Sequence, residues 1–323
     1  MDAEEFLPVI AEVRQYLEDN REWETRYAEY ARQLLGKQES IAALIKQFHK
    51  WSPFQYYLCI DKIKRAGKKL AIDVRYRGQN VAELGVTDGE VRLRTRTSDT
   101  NYGESNQKYF DCGIAFPAGV DWAGKEAAAF RKHFNGLDGK FGRIPEHNIE
   151  SLLLSEFSKI KGDGKGVIGI QPVRYCGFRF AMATPLKASD PKVKSYSGGS
   201  GGGIDILART KGPAPLTVIE VKKASEAPEK VLKQAIAYTT FLLKLLRSES
   251  GSTWWRIFGF KGEPPKSLAV NAVCAMPHNA HGDDTSLAEL EPLYLGGDCV
   301  KCRFIYFDYD KDTNSLGGFR HSL

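Results

Sequence analysis

Two short apolar segments near the middle of the chain each carry one acidic residue, and together they most constrain the fold. The first is G-I-D-I at residues 203–206, and the second is V-I-E-V-K at residues 218–222. Residues two apart on a strand share a face, so Glu220 and Lys222 are predicted to point the same way. The intervening K-G-P-A-P at 211–215 is typical of a reversal between adjacent strands, which would set Asp205 beside Glu220.

Two converging carboxylates with a nearby ammonium group are suited to a hard divalent cation. Mg²⁺ and Mn²⁺ prefer oxygen ligands and usually take one or two protein carboxylates together with substrate phosphate. Such a cation polarises a phosphoryl group and activates water, and a lysine beside it orients that water or neutralises the transition state. Asp205 and Glu220 are therefore the predicted metal ligands, with the Val221 carbonyl as a further candidate. Lys222 is the predicted catalytic cation, although a surface ion pair would give the same letters.

The motifs resemble those of the PD-(D/E)XK nuclease superfamily. G-I-D-I is similar to its first acidic motif and I-E-V-K to its second, and Gln234 and Tyr238 form the Q-x-x-x-Y of RecB-like and lambda-exonuclease-like members. Those last two residues share a helical face. The resemblance, over residues 145–310, implies an α/β domain with a central mixed β-sheet flanked by helices (a restriction-endonuclease-like core). It also implies DNA hydrolysis with Mg²⁺ or Mn²⁺, and a supporting role for Gln234 and Tyr238.

The same resemblance implies a glutamate on the helix before the first core strand. Here that helix is predicted to begin near Pro145, and Glu150 is the predicted third metal ligand. Glu156 lies about 240° further round the helix, so the two glutamates cannot both face one site. Glu146, one turn earlier, is the weaker alternative.

A glycine-rich segment, S-Y-S-G-G-S-G-G-G at residues 195–203, immediately precedes the first acidic motif. Glycine lets a backbone come close to other groups, so the segment is predicted to approach the site. A disordered connector would have the same composition.

The length of 323 residues suits two domains, which are predicted at 1–140 and 141–323. Residues 2–50 have helical periodicity in about three segments, and residues 69–97 change to period two. The first domain is therefore predicted to be α+β, with a role in target reading or sensing. The second is the nuclease-like domain.

Arginines recur along the predicted strands of the first domain. Arg75 and Arg77 alternate with apolar residues in one strand, as do Arg92, Arg94 and Arg96 in another. Guanidinium groups bind phosphates well, so these arginines form a candidate nucleic-acid surface. The alternative is the solvated outer face of a half-buried sheet.

Charge and composition agree with a nucleic-acid partner without requiring one. The formal net charge is +6 and the pI is about 8.8. No apolar run is long enough to span a membrane, and the acidic start is unlike a signal peptide, so a cytoplasmic protein without a membrane partner is expected. Six scattered cysteines suggest reduced thiols. Whether His278, His281, Cys299 and Cys302 bind zinc is left open.

Two alternatives to a DNA nuclease stay open. One is a catalytically inactive nucleic-acid-binding module of the same fold. The other is an RNA-directed nuclease, because metal-site residues do not distinguish DNA from RNA. A homodimer would suit cleavage of both strands, and prokaryotic defence or mobile-element biology would suit the architecture.

Overall fold

The computed structural model describes residues 2–48, 54–59, 70–87, 90–95, 116, 118–137, 145–158, 169–187, 202–278 and 290–323. Within these ranges the helices are α1 (Leu7–Asp19), α2 (Glu22–Gly36), α3 (Gln38–Phe48), α4 (Lys125–Asn135), α5 (Pro145–Ser158), α6 (Pro228–Arg247) and α7 (Gly251–Ile257). The strands are β1 (Gln55–Cys59), β2 (Leu70–Tyr76), β3 (Gln79–Thr87), β4 (Glu90–Arg94), β5 (Val120–Asp121), β6 (Ile170–Pro172), β7 (Arg174–Tyr175), β8 (Phe178–Ala183), β9 (Gly203–Ile204), β10 (Ile206–Thr210), β11 (Leu216–Val221), β12 (Ala269–Pro277), β13 (Leu293–Leu295), β14 (Asp298–Asp310) and β15 (Ser315–His321). The protein is of the α/β class, as predicted. None of the described helices combines the length and apolar character needed to cross a membrane.

The chain forms two compact units that interleave along the sequence. Unit 1 comprises residues 1–32, 152–173 and 181–323, and unit 2 comprises residues 33–151 and 174–180. Both units therefore cross the boundary expected after residue 140. The assignment of 1–140 and 141–323 as separate domains stays a prediction.

Unit 1 is built on a mixed sheet with the strand order β13-β14-β12-β11-β10-β6, and β15 pairs with β14. The strands β6, β10 and β11 are antiparallel neighbours, whereas β11, β12 and β14 are parallel neighbours. A parallel step needs a crossover connection, and α6 with α7 provides it between β11 and β12. Every residue of β11 is buried, as expected for a strand covered on both faces.

The N-terminal helices of unit 1 are held to α6 by an aromatic cluster. The ring centroid of Phe241 lies 5.6 Å from that of Trp23 and 5.0 Å from that of Tyr27, both in edge-to-face geometry. Tyr27 also lies 6.0 Å from Trp254. The indole N–H of Trp23 donates to the Leu17 carbonyl at 3.0 Å, so its polar group is satisfied inside the core. This packing explains why the first 32 residues belong to unit 1.

Unit 2 contains the strand order β5-β4-β3-β2-β1, followed by β8 and β7, with β8 belonging to this unit as far as residue 180. Phe54, just before β1, stacks on Phe130 of α4, and their ring centroids are 5.6 Å apart. Along β4 exposed and buried residues alternate, as the period-two pattern predicts. Along β2 the polar side is not a solvated outer face, because Asp73 is 5% exposed.

Replacing Phe241 with alanine is expected to lower the free energy of unfolding by about 3–5 kcal/mol, because a fully buried ring leaves a cavity. Urea denaturation of the purified protein measures this loss. Tyr294→Ala is the control, since Tyr294 is 71% exposed and its removal should change stability by less than about 0.5 kcal/mol. Equal losses in the two variants would contradict the packing described.

Candidate active site

Asp205 lies at a bend where the backbone leaves β9 and enters β10. The register of β10 and β11 sets Ile206 opposite Ile219, so the next step sets Asp205 opposite Glu220. At that step the Asp205 carboxylate replaces a backbone acceptor, because its Oδ2 accepts the Val221 N–H at 2.8 Å. The Asp205 N–H in turn lies 3.5 Å from Oε1 of Glu220. The predicted reversal therefore brings the two acidic residues together.

Glu220 is a fully buried carboxyl group. It is 0% exposed, and among the described residues its Oε2 has no hydrogen-bond partner. Burial raises the pKa of the Glu220 carboxyl well above its usual range, the neighbouring Asp205 raises it further, and Lys222 opposes the shift. A buried carboxylate with an unsatisfied oxygen is costly. Glu220 is therefore expected either to hold a proton or to bind a cation.

Lys222 follows the last residue of β11 and stays beside Asp205. Its Nζ lies 3.8 Å from Oδ2 of Asp205 and donates to the Val221 carbonyl at 3.1 Å. The backbone N–H of Lys222 donates to the Ala275 carbonyl on β12, which positions the residue. The side chains of Lys222 and Asp205 are 19% and 28% exposed, so solvent reaches the site on this side. The Val221 carbonyl, a candidate ligand, already accepts a hydrogen bond from Lys222.

These groups fit a hard divalent cation. Asp205 and Glu220 would hold it, since Glu220 offers an oxygen that has no partner in the described part of the chain. No group of three or more His, Cys, Asp or Glu side chains with a metal-binding arrangement occurs in the described ranges. Two carboxylates are nevertheless within the number that Mg²⁺ uses when water and phosphate supply the remaining ligands.

Glu150, the predicted third ligand, lies on α5 in unit 2 and is 4% exposed. Its Oε1 is 3.4 Å from Nη1 of Arg75, and its Oε2 is 3.7 Å from Nδ1 of His147. Both partners belong to the same unit as Glu150. The metal-binding role of Glu150 stays a prediction, and Arg75 forms an ion pair instead of standing free for phosphate.

The other predicted arginines have different environments. Arg92 and Arg94 lie on the exposed side of β4, and Arg92 donates to the Gly119 carbonyl at 2.7 Å. Arg77 is in the turn after β2 with a φ of 49°, so it does not continue the strand. Arg96 lies outside the described residues. Binding of nucleic acid by these arginines stays a prediction.

Gln234 and Tyr238 lie one turn apart on α6, and their side chains are hydrogen-bonded to each other. Tyr238 is 1% exposed. Burial raises the pKa of the Tyr238 hydroxyl, and the charges of Glu220 and Asp205 raise it further. The hydroxyl is therefore a neutral group beside the carboxylate pair.

Gly202 makes the close backbone approach predicted for the glycine-rich segment, of which residues 195–201 lie outside the described ranges. Its N–H donates to the Leu186 carbonyl and its carbonyl accepts the Thr184 N–H, at 2.5 Å and 2.7 Å. A β-carbon at this position would overlap the Tyr238 hydroxyl. Glycine is required here by lack of space.

Cys274 is a neighbour of the site that the motifs did not indicate. It lies beside Glu220 in the parallel register of β11 and β12, and it is fully buried. Burial raises the pKa of its thiol, and Lys222 partly offsets that shift. The only indication in the sequence that Cys274 is buried is its position within an apolar run.

The zinc question remains open because His281 lies outside the described residues. The Nε2 of His278 lies 3.1 Å from the Gly318 carbonyl. Cys299 and Cys302 are both on β14, and Cys302 is buried.

Comparison with known proteins gives no family for the chain: no family model, curated protein or solved structure matches it. The resemblance to PD-(D/E)XK nucleases therefore stays a prediction from the sequence motifs.

The raised pKa of Glu220 predicts a dependence of stability on pH. A folded-state pKa above the unfolded value of about 4.3 stabilises the protein at lower pH, and this stability is lost as pH rises towards the folded-state pKa. The glutamine in the Glu220→Gln variant cannot ionise, so this variant should not lose stability in that way. Between about pH 5 and pH 8 in EDTA, its melting temperature should rise relative to wild type. Glu249→Gln, at an exposed position, is the control. A constant difference across this range would contradict the raised pKa.

Gly202→Ala is expected to lower the free energy of unfolding by about 1–3 kcal/mol, because the methyl group displaces the Tyr238 hydroxyl. Tyr238→Phe removes that oxygen, so the double variant should lose less than the sum of the two single losses. Gly203→Ala is a matched control, because a β-carbon there meets nothing closer than 3.8 Å. Additive losses in urea denaturation would show that the hydroxyl is not the obstacle.

Proposed function

We propose that the chain is a metal-dependent nuclease of the PD-(D/E)XK type that hydrolyses DNA phosphodiester bonds. The observation that carries the proposal is the fully buried Glu220, whose Oε2 has no described partner, beside Asp205 and Lys222. An isolated stabilising ion pair would leave no buried carboxylate oxygen unsatisfied. A cation site, by contrast, needs a carboxylate oxygen that is free to bind the metal.

The strand pattern around the site supports a restriction-endonuclease-like core. Asp205 precedes β10 and Glu220 lies on β11, which are antiparallel, and α6 then leads to the parallel strand β12. This order places the acidic pair and the Gln234–Tyr238 helix around one end of β11. It agrees with the order implied by the resemblance.

The chain's own residues have distinct roles in the proposed reaction. Asp205 and Glu220 hold the divalent cation, which when bound supplies Lewis-acid activation of phosphate and water. Lys222 is near enough to Asp205 to be held by it, and its ammonium group orients the attacking water or balances developing negative charge. Gln234 and Tyr238 position the neighbouring backbone and keep a neutral hydroxyl at the site. Glu150 remains a predicted ligand.

DNA is the proposed substrate because the resemblance to PD-(D/E)XK nucleases implies it, and the basic net charge of the chain agrees with a polyanionic substrate. RNA is the alternative substrate. A cytoplasmic location, a homodimeric state and a role in prokaryotic defence or on mobile elements are parts of the same proposal. A binding module without catalysis would keep the fold but need not retain a buried glutamate that has an unsatisfied oxygen.

The decisive experiment compares wild type with Asp205→Asn, Glu220→Gln and Lys222→Met on labelled linear, closed-circular and single-stranded DNA and on RNA. Wild type should cut with Mg²⁺ or Mn²⁺ and not with EDTA. Each substitution should reduce the cleavage rate by about a hundredfold or more. Lys261→Met, at an exposed position, controls for loss of one positive charge.

Mn²⁺ binding is measured separately by thermal unfolding. Bound cation should raise the melting temperature of wild type and leave that of Asp205→Asn unchanged. If wild type cuts RNA and no form of DNA, RNA replaces DNA as the proposed substrate. Equal cutting by wild type and all three variants would place the activity elsewhere. Stabilisation by Mn²⁺ without cutting of any substrate would favour the binding module.

A further inference from the structure

A row of side chains crosses the carboxyl ends of β11, β12 and β14, beginning at the candidate active site. The register sets Val221 opposite Ala275, so the next step sets Lys222 opposite Met276. The Lys222 N–H donates to the Ala275 carbonyl, which continues the parallel pairing to this step. Met276 in turn lies opposite Tyr306. The row therefore runs from the catalytic lysine across two further strands.

The row ends at an arginine on β15. Tyr306 lies opposite Arg320 in the antiparallel pairing of β14 and β15. Cross-strand partners share a face of the sheet, so Arg320 lies on the same face as Glu220 and Lys222. With neighbouring strands about 4.8 Å apart, the Cα atoms of Lys222 and Arg320 are about 14 Å apart. Arg320 is exposed and Lys222 is partly exposed, so both ends of the row reach solvent.

His278, the residue after β12, covers part of this row. Its ring stacks on that of Tyr306, with the ring centroids 5.8 Å apart and the ring planes at 28° to each other. Tyr306 is 3% exposed, so it supports the imidazole without reaching solvent itself. His278 is partly exposed. Because Tyr306 covers one face of the imidazole, a planar ligand would stack on the other face.

A hydrogen bond fixes the orientation of the His278 ring. Its Nε2 lies 3.1 Å from the Gly318 carbonyl, and a carbonyl oxygen only accepts, so this nitrogen carries the hydrogen. The bond ties the ring to β15, two residues before Arg320. The imidazole is thus oriented before any ligand binds, which reduces the entropy that binding would cost.

An acidic side chain also borders this region. A β-carbon at Gly318 would overlap the Asp308 carboxylate, so that carboxylate lies against the glycine. Its negative charge would repel a phosphate placed over Gly318. A phosphate bound in this region is therefore expected at Arg320.

We propose that His278 and Arg320 form a subsite for a single-stranded nucleic acid, in which a base stacks on the His278 ring and Arg320 binds a phosphate. Aromatic rings accept any base by stacking, and guanidinium groups bind phosphate through fixed N–H donors. An unpaired base can leave its stack to contact a side chain, so the strand is single-stranded at this position. The inference rests on the proposed function, because the row begins at Lys222. DNA and RNA share this chemistry.

The test measures binding of fluorescent single-stranded DNA, single-stranded RNA and duplex DNA to the full chain in EDTA. The variants are His278→Ala, His278→Phe, Arg320→Gln and a matched control, Arg256→Gln, at an exposed position of the same unit. His278→Ala should weaken binding of single strands about fivefold or more, whereas His278→Phe keeps an aromatic ring and should retain most of the binding.

The arginine has its own expected result. Arg320→Gln should weaken binding of single strands about threefold or more. It should also reduce the salt dependence by about 0.7, the value for one phosphate contact on a single strand. His278→Phe should leave the salt dependence unchanged, and Arg256→Gln should alter affinity and salt dependence less than Arg320→Gln does.

The two His278 variants separate a binding role from a structural one. Both lose the hydrogen bond to Gly318, so a purely structural role predicts equal weakening by His278→Ala and His278→Phe, and this result would overturn the proposal. Single-strand binding by Arg320→Gln that equals that of Arg256→Gln would also overturn it. So would equal weakening of duplex and single-strand binding by His278→Ala. Tighter binding of RNA than of DNA, lost in His278→Ala, would support the subsite with RNA as its ligand.

This outcome is independent of cleavage. Loss of single-strand binding in His278→Ala and Arg320→Gln would support the subsite even if wild type cuts no substrate, in which case the proposed nuclease function alone fails. Metal-dependent cutting that needs Asp205, together with unchanged binding in both variants, would overturn the subsite alone.

Discussion

The site in unit 1 depends on the burial of one carboxyl group, that of Glu220. The strand β11 that carries it is buried along its whole length, so bulk solvent does not reach the carboxyl group. A carboxylate in such a place is tolerated when a proton, a cation or several donors compensate it. The nearby groups provide only part of this: Lys222 opposes the shift in pKa, while Asp205 increases it. The charge of an ionised Glu220 would therefore be only partly compensated by its neighbours.

The two units resolve buried charge in opposite ways. In unit 2, the buried Glu150 is paired with Arg75 of the same unit. In unit 1, Oε2 of Glu220 has no hydrogen-bond partner among the described residues, although Asp205 and Lys222 lie beside it. The carboxyl group in unit 2 is therefore compensated by an arginine, whereas the one in unit 1 keeps an oxygen that a cation could bind.

The sequence predicted those parts of the structure that depend on residues close together in the chain. The turn at 211–215 predicted that Asp205 meets Glu220, and Pro228 together with apolar spacing predicted α6. Pairings between distant residues had no such signal. Arg75 and Glu150 are 75 positions apart, and each looked like a ligand-binding residue when considered alone. The grouping of the first 32 residues with unit 1 likewise depends on aromatic packing against α6, which a helical pattern does not specify.

The proposed site retains an arrangement that stability alone would not favour. A well-packed apolar residue in place of Glu220 would avoid the cost of a buried acid. The surrounding packing is strong enough to hold this acid, because every residue of β11 is buried. A bound proton or a bound cation would each offset the unfavourable electrostatics, and the proposal of a cation site depends on the second of these.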